Sequence, residues 1–93
     1  MPLSTAVMLK IDVTEARMGQ RVTVRLEGQM VGRWVDEVRQ ACEPFLSGGQ
    51  TIVLDFTAVS FVDRNGVALC RRLRLARATL RNCSPFVKEQ IDA

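Results

Sequence analysis

TIVLDFTAVSFVDRNGVALCRRL, residues 51–73, changes its character midway. Its first part, Ile52-Val53-Leu54 between Thr51 and Asp55-Phe56, is a short apolar run rich in β-branched residues. Such a run suits a strand buried within a parallel sheet. A short loop through Ser60-Phe61-Val62 is expected next, leading into Asp63-Arg64-Asn65-Gly66 and a helix whose apolar members are Val67, Leu69, Cys70 and Leu73. This order exposes the first turn of the helix at the carboxyl end of the strand, where open α/β sheets usually meet ligands and partners. Asp63 and Asn65 carry side-chain oxygens that can accept from the free N–H groups of a first turn. Gly66 permits a tight turn or the close approach of another molecule.

Upstream, residues 7–13 (VMLKIDV) alternate as a strand does, with Val7, Leu9, Ile11 and Val13 on one side. Residues 14–20 read as a polar turn with Gly19 at positive φ, and residues 21–26 alternate again through Val22, Val24 and Leu26. Two such strands predict an antiparallel hairpin. Residues 27–32 (EGQMVG) break the alternation, and from Arg33 the spacing turns helical: Val31, Trp34 or Val35, Val38, Cys42 and Phe45 form a stripe opposite Arg33, Asp36, Glu37, Gln40 and Glu43. Pro44 marks a kink or the closing turn, and Gly48-Gly49 the stop. Trp34 is expected at the half-buried edge of the core.

Downstream, residues 78–83 (ATLRNC) predict a short last strand. Ser84 then caps a final helix with Pro85 at its first position and Phe86, Val87 and Ile91 facing inward. The expectation is a β-β-α-β-α-β-α order over residues 1–93: a small single-domain α/β protein with a mixed sheet of about four strands and helices mainly on one face.

Composition narrows the function. A chain of 93 residues, 47% hydrophobic and 25% charged, is that of an ordinary globular domain. There is no His, which removes Ser/His and Cys/His nucleophilic pairs, and the three widely spaced cysteines (Cys42, Cys70, Cys83) fit buried thiols better than a metal site or disulfide framework. No phosphate-binding glycine loop is present, and no cofactor or metal is expected. Asp55 and Asp63, at either end of the expected loop, form a carboxylate pair, but a strand-end acceptor and a helix cap account for them without catalysis. An enzyme is not expected. No secretory signal and no run of about 18 apolar residues is seen, so a cytoplasmic chain without direct membrane insertion is expected. Residues 61–93 carry a net charge of +4, against −1 for residues 1–60. Four arginines between 71 and 77 lack interleaved aromatic residues, which argues against nucleic acid and for a solvated helix face that meets an acidic protein.

VLDFTAVSFVDRNGVAL resembles the signature of the STAS family, small domains of sulfate transporters and bacterial anti-sigma-factor antagonists. There a strand reading VLDLSGV precedes F-(I/V/M)-D-S-S-G-L-x-x-L at a helix start. Asp55, Phe61, Asp63 and Gly66 match this pattern, and Gly28-Gln29-Met30 is similar to the family's G-E-(L/I)-D segment, with Val31 where the Asp would stand. The family's Ser-Ser is replaced by Arg64-Asn65, which puts Asn65 at the place of the phosphorylated serine. The resemblance implies a non-enzymatic protein-interaction module in transcription regulation. It would bind a kinase-like anti-sigma factor through Asp63, Arg64, Asn65, Gly66 and Arg71, without the phosphoserine switch. The domain would then behave as permanently unmodified, or its regulation would have moved elsewhere. Thr57 and Ser60 are nearby hydroxyls, but turns favour hydroxyls for backbone reasons alone. The alternative is an accessory subunit that braces the ATPase of a lipid-trafficking ABC system or serves a sulfate transporter. Self-association into a homodimer is left open.

Overall fold

Apolar residues at every second position give Val22, Val24 and Leu26 to one side of a strand, and Ile52, Leu54 and Phe56 to the same side of its neighbour; all six are buried. The computed structural model describes residues 9–16 and 20–93. Within them the order is β1 (Leu9–Glu15), β2 (Arg21–Met30), α1 (Arg33–Ser47), β3 (Thr51–Val62), α2 (Arg64–Leu75), β4 (Thr79–Arg81) and α3 (Pro85–Asp92). The four strands lie in the order β1-β2-β3-β4, with β1 antiparallel to β2 and both β2–β3 and β3–β4 parallel. The expected mixed α/β architecture is therefore present.

All three helices contribute to one core with those strand residues: Val35, Val38 and Cys42 from α1, Leu69, Cys70 and Leu73 from α2, Val87 and Ile91 from α3. The other sheet face is polar, with Asp12, Arg25, Asp55 and Arg81 in neighbouring register. On α1 it is Val35 rather than Trp34 that is fully inside; Trp34 is half-buried, with the Arg33 guanidinium 4.7 Å from its ring centroid. Pro44 sits in the closing turn, and Gly49, at φ 75, ends the helix.

Several boundaries differ from those expected. Strand β3 runs unbroken through the segment read as a loop. Asp55 pairs with Arg25 and Ala58 with Glu27, so Phe56 and Thr57 together face Leu26; Val59 then pairs with Gly28 and Phe61 with Gln29, leaving Ser60 extra. These are β-bulges, and they change the spacing of core residues from two (Ile52, Leu54, Phe56) to three (Val59, Val62). Strand β2 likewise continues to Met30 instead of breaking at Glu27, with Gly28 at φ 120.

Strand β1 takes in Thr14 and Glu15, expected in the turn; Val7, Met8 and Gly19 lie outside the described residues. Strand β4 keeps only three of the six residues expected for it. Phe86 does not face inward: it is 56% exposed and stacks on Phe61 with centroids 6.3 Å apart. Val87 and Ile91, one turn apart, take the inner side of α3 and leave Phe86 rotated out of it.

Candidate functional site

Parallel pairing brings the carboxyl ends of β2 and β3 together, and each leads into a helix, so the N-termini of α1 and α2 open side by side. Asp63 stands between them as the cap of α2. Its Oδ1 accepts from Gly66 N–H at 2.8 Å, and its Oδ2 accepts from Gly32 N–H, at the cap position of α1, at 2.9 Å. Its own N–H donates to Met30 O at 3.1 Å. One carboxylate thus fixes two helix starts, and its charge suits the positive ends of both dipoles. Gly32, at φ 56, brings no side chain to its own helix, so the oxygen comes from a residue 31 positions away.

Gly66 lies in the first turn of α2 and is buried. A Cβ there would come within 2.6 Å of Val62 Cγ1 and 2.9 Å of Met30 O. The close approach anticipated at this glycine is that of α2 against the ends of β2 and β3, inside the molecule. Arg64 and Asn65 occupy the exposed first two positions of the helix. Arg71, read with them as a docking residue, reaches inward along the chain: Nε donates to Ile91 O at 2.7 Å, and Nη2 donates to Ala93 O. Arg74 pairs with Asp92 at 2.9 Å, so two arginines of α2 hold α3. Arg64, Ala68, Arg72 and Leu75 remain on the outer flank, where Leu75 is 88% exposed and no residue of the helix is acidic.

Gln90 contributes in a way the sequence did not advertise. Its Oε1 accepts from Val62 N–H at 3.3 Å and its Nε2 donates to Val62 O at 2.8 Å. The side-chain amide takes the place of a neighbouring strand where β4, paired only with Val53 to Asp55, no longer reaches.

Asp55 is not one end of a loop shared with Asp63. It sits within β3, where its Oδ1 accepts from Thr57 Oγ1 at 2.6 Å, Thr57 N–H at 2.9 Å and Asn82 Nδ2 at 3.2 Å. It secures the first bulge. The Thr57 hydroxyl and N–H, then Asn82 and the nearby Arg25, hold its carboxyl below the ordinary aspartate pKa. A depressed folded pKa gives stability that is present above the unfolded value, near ~4, and is lost as pH falls through the lower folded value. Asp55→Asn should therefore flatten the fall in urea midpoint below about pH 4. A slope identical to that of the unaltered chain would mean that Asp55 contributes nothing to acid sensitivity.

The cysteines are unsuited to nucleophilic work. Burial pushes the Cys42 thiol up to about 11 and Cys70 up to about 12, and also raises Cys83. No group of residues able to hold a metal ion occurs among the described residues, and none of their helices is long and apolar enough to cross a membrane.

The STAS domain model matches residues 11–93. No curated protein sequence matches the chain. Among solved structures, the anti-sigma factor antagonist SpoIIAA in its unphosphorylated form is similar with a TM-score of 0.74 and 23% identity, over 89% of this chain and 82% of that one. The phosphorylated form of the Bacillus cell fate determinant SpoIIAA is similar with a TM-score of 0.68 and 26% identity, over 89% and 81%. An antisigma-factor antagonist STAS domain from Rhodobacter sphaeroides gives 0.58 and 17% identity, over 88% and 97%.

Proposed function

Since the chain belongs to the STAS domain family, we propose that it is a protein-interaction module of the anti-sigma-factor antagonist type, docking a protein partner at the junction where α1 and α2 begin. The observation that carries this reading is the position of Asn65: exposed, in the first turn of α2, beside Arg64 and directly after the capping Asp63. A phosphate at that place would add charge at the docking surface. Asn65 has no hydroxyl to receive one, so the module stays in its binding state.

Asn65→Asp tests this. A carboxylate in a first helical turn is tolerated, or favoured by about 0.3–1 kcal/mol, so the fold should persist by circular dichroism. Binding to a kinase-like anti-sigma factor captured by pull-down with the unaltered chain should weaken by about tenfold or more. Incubation of the unaltered chain with that kinase and ATP should leave residues 63–69 unmodified in a mass-spectrometric map. Equal affinity of the two proteins would place the interface elsewhere, and stoichiometric phosphate on Thr57 or Ser60 would show that the switch has moved. Arg64→Glu should lower the association rate, less so at high salt, whereas Arg71→Glu is a poorer probe because Arg71 holds α3.

The absence of a hydroxyl at Asn65 also favours a second reading, a subunit that braces the ATPase of a transport assembly and has no need of phosphorylation. Co-purification with such an ATPase, and indifference to any anti-sigma factor, would select it.

A further inference from the structure

The two edges of the sheet differ, and β1 is the longer. Ala16 N–H donates to Arg21 O at 2.8 Å, which sets the phase of the β1–β2 ladder. Antiparallel pairs alternate between hydrogen-bonded and non-hydrogen-bonded. Lys10, Asp12 and Thr14 therefore exchange backbone hydrogen bonds with β2, and Leu9, Ile11 and Val13 turn their N–H and C=O groups to the outer edge. No strand among the described residues pairs there. Val13, on the core side, is 43% exposed.

We propose that β1 pairs antiparallel with β1 of a second copy about a two-fold axis at Ile11, joining two sheets into one in a homodimer. Ile11 then lies opposite Ile11, and Leu9 opposite Val13, through the outward backbone groups, each pair exchanging two hydrogen bonds. Lys10 lies opposite Asp12 of the second copy, twice over. These are non-hydrogen-bonded pairs, in which side chains approach most closely. Both core faces must stay on the same side, so the register can shift only in steps that keep the faces matched. One such step sets Lys10 against Lys10, and the step the other way sets Asp12 against Asp12. The charge pattern thus fits one register and opposes both neighbours. Within a single chain the Lys10–Asp12 contact is long, at 3.9 Å, and exposed, so it competes little.

The pairing leaves the α1–α2 junction free and goes beyond its proposed role. Rotation about the axis sends the two junctions to opposite ends of the joined sheet, which makes the dimer bivalent. A strand edge of this length forms a small interface, so association should rise with concentration through the micromolar range.

Sedimentation equilibrium of the full chain over a concentration series reads the outcome. The unaltered chain should approach twice its 10.4 kDa mass. Lys10→Asp alone and Asp12→Lys alone should each weaken dimerisation by about tenfold or more, since both cross-strand pairs become repulsive. An equimolar mixture of these two variants should dimerise, as should the double exchange Lys10→Asp/Asp12→Lys, because each restores opposite charges across the axis. Val13→Pro removes an outward N–H without touching the β2 ladder and should also give monomers. If that variant does not fold, the charge series decides alone. A monomer at every concentration, a dimer indifferent to the single exchanges, or a mixture that stays monomeric would each overturn the proposal.

Discussion

Leu54→Ala should lower the unfolding free energy by about 2–5 kcal/mol, read as a fall in the urea midpoint at unchanged slope. Leu54 has no exposed surface and lies between Val24 of β2 and Leu80 of β4, in a strand paired on both sides. Truncation removes its transfer free energy and leaves a cavity that cannot collapse, because the ladders on either side hold the backbone in place. A domain of this size commands only about 5–15 kcal/mol in total, so the variant should approach the folding limit at physiological temperature. An unchanged midpoint would contradict the central position of this side chain.

The second large effect is expected at Asp63. Asp63→Ala deletes the cap of α2, a loss of about 0.5–2 kcal/mol, and also the charged acceptor of Gly32 N–H. Hydrogen bonds to charged groups contribute about 1.5–3 kcal/mol each. Water reaches Gly32, which offsets part of the second loss, so a total of about 2–3 kcal/mol is expected. Asp63→Asn keeps one carbonyl oxygen for Gly66 and should fall between. Hydrogen exchange separates this from a general loss of stability: the Gly32 and Gly66 amides should lose protection together in the alanine variant, while only Gly32 does so in the asparagine variant. Retention of both protections in the alanine variant would show that Asp63 does not join the helices.

Local chemistry made much of this legible. Asp63 before a helical spacing and Ser84-Pro85 before another state helix starts by residue type, and both caps are present, with Ser84 Oγ accepting from Val87 N–H at 3.2 Å. The strict alternation of residues 21–26 announced β2. The second half of β3 was not legible, because two bulges move its core residues to a spacing of three, which has the period of neither strand nor helix. Contacts between distant residues were hidden for a different reason. Nothing near Gly32 tells that its N–H will meet Asp63, and nothing near Gly66 tells that its missing side chain makes room for Val62 and Met30 rather than for a partner. Arg71 and Arg74 read as surface charge because the backbone and carboxylate they hold lie on α3, a separate element.

The amide of Gln90 has a consequence for growth. Sheets that present two open edges can add copies at both and run on into filaments. Here one edge is a strand of three residues, and just past it the backbone of Val62 is already occupied by a side chain. A molecule capped in this manner behaves as a monofunctional monomer does in polymer chemistry: whatever joins its remaining edge terminates the chain.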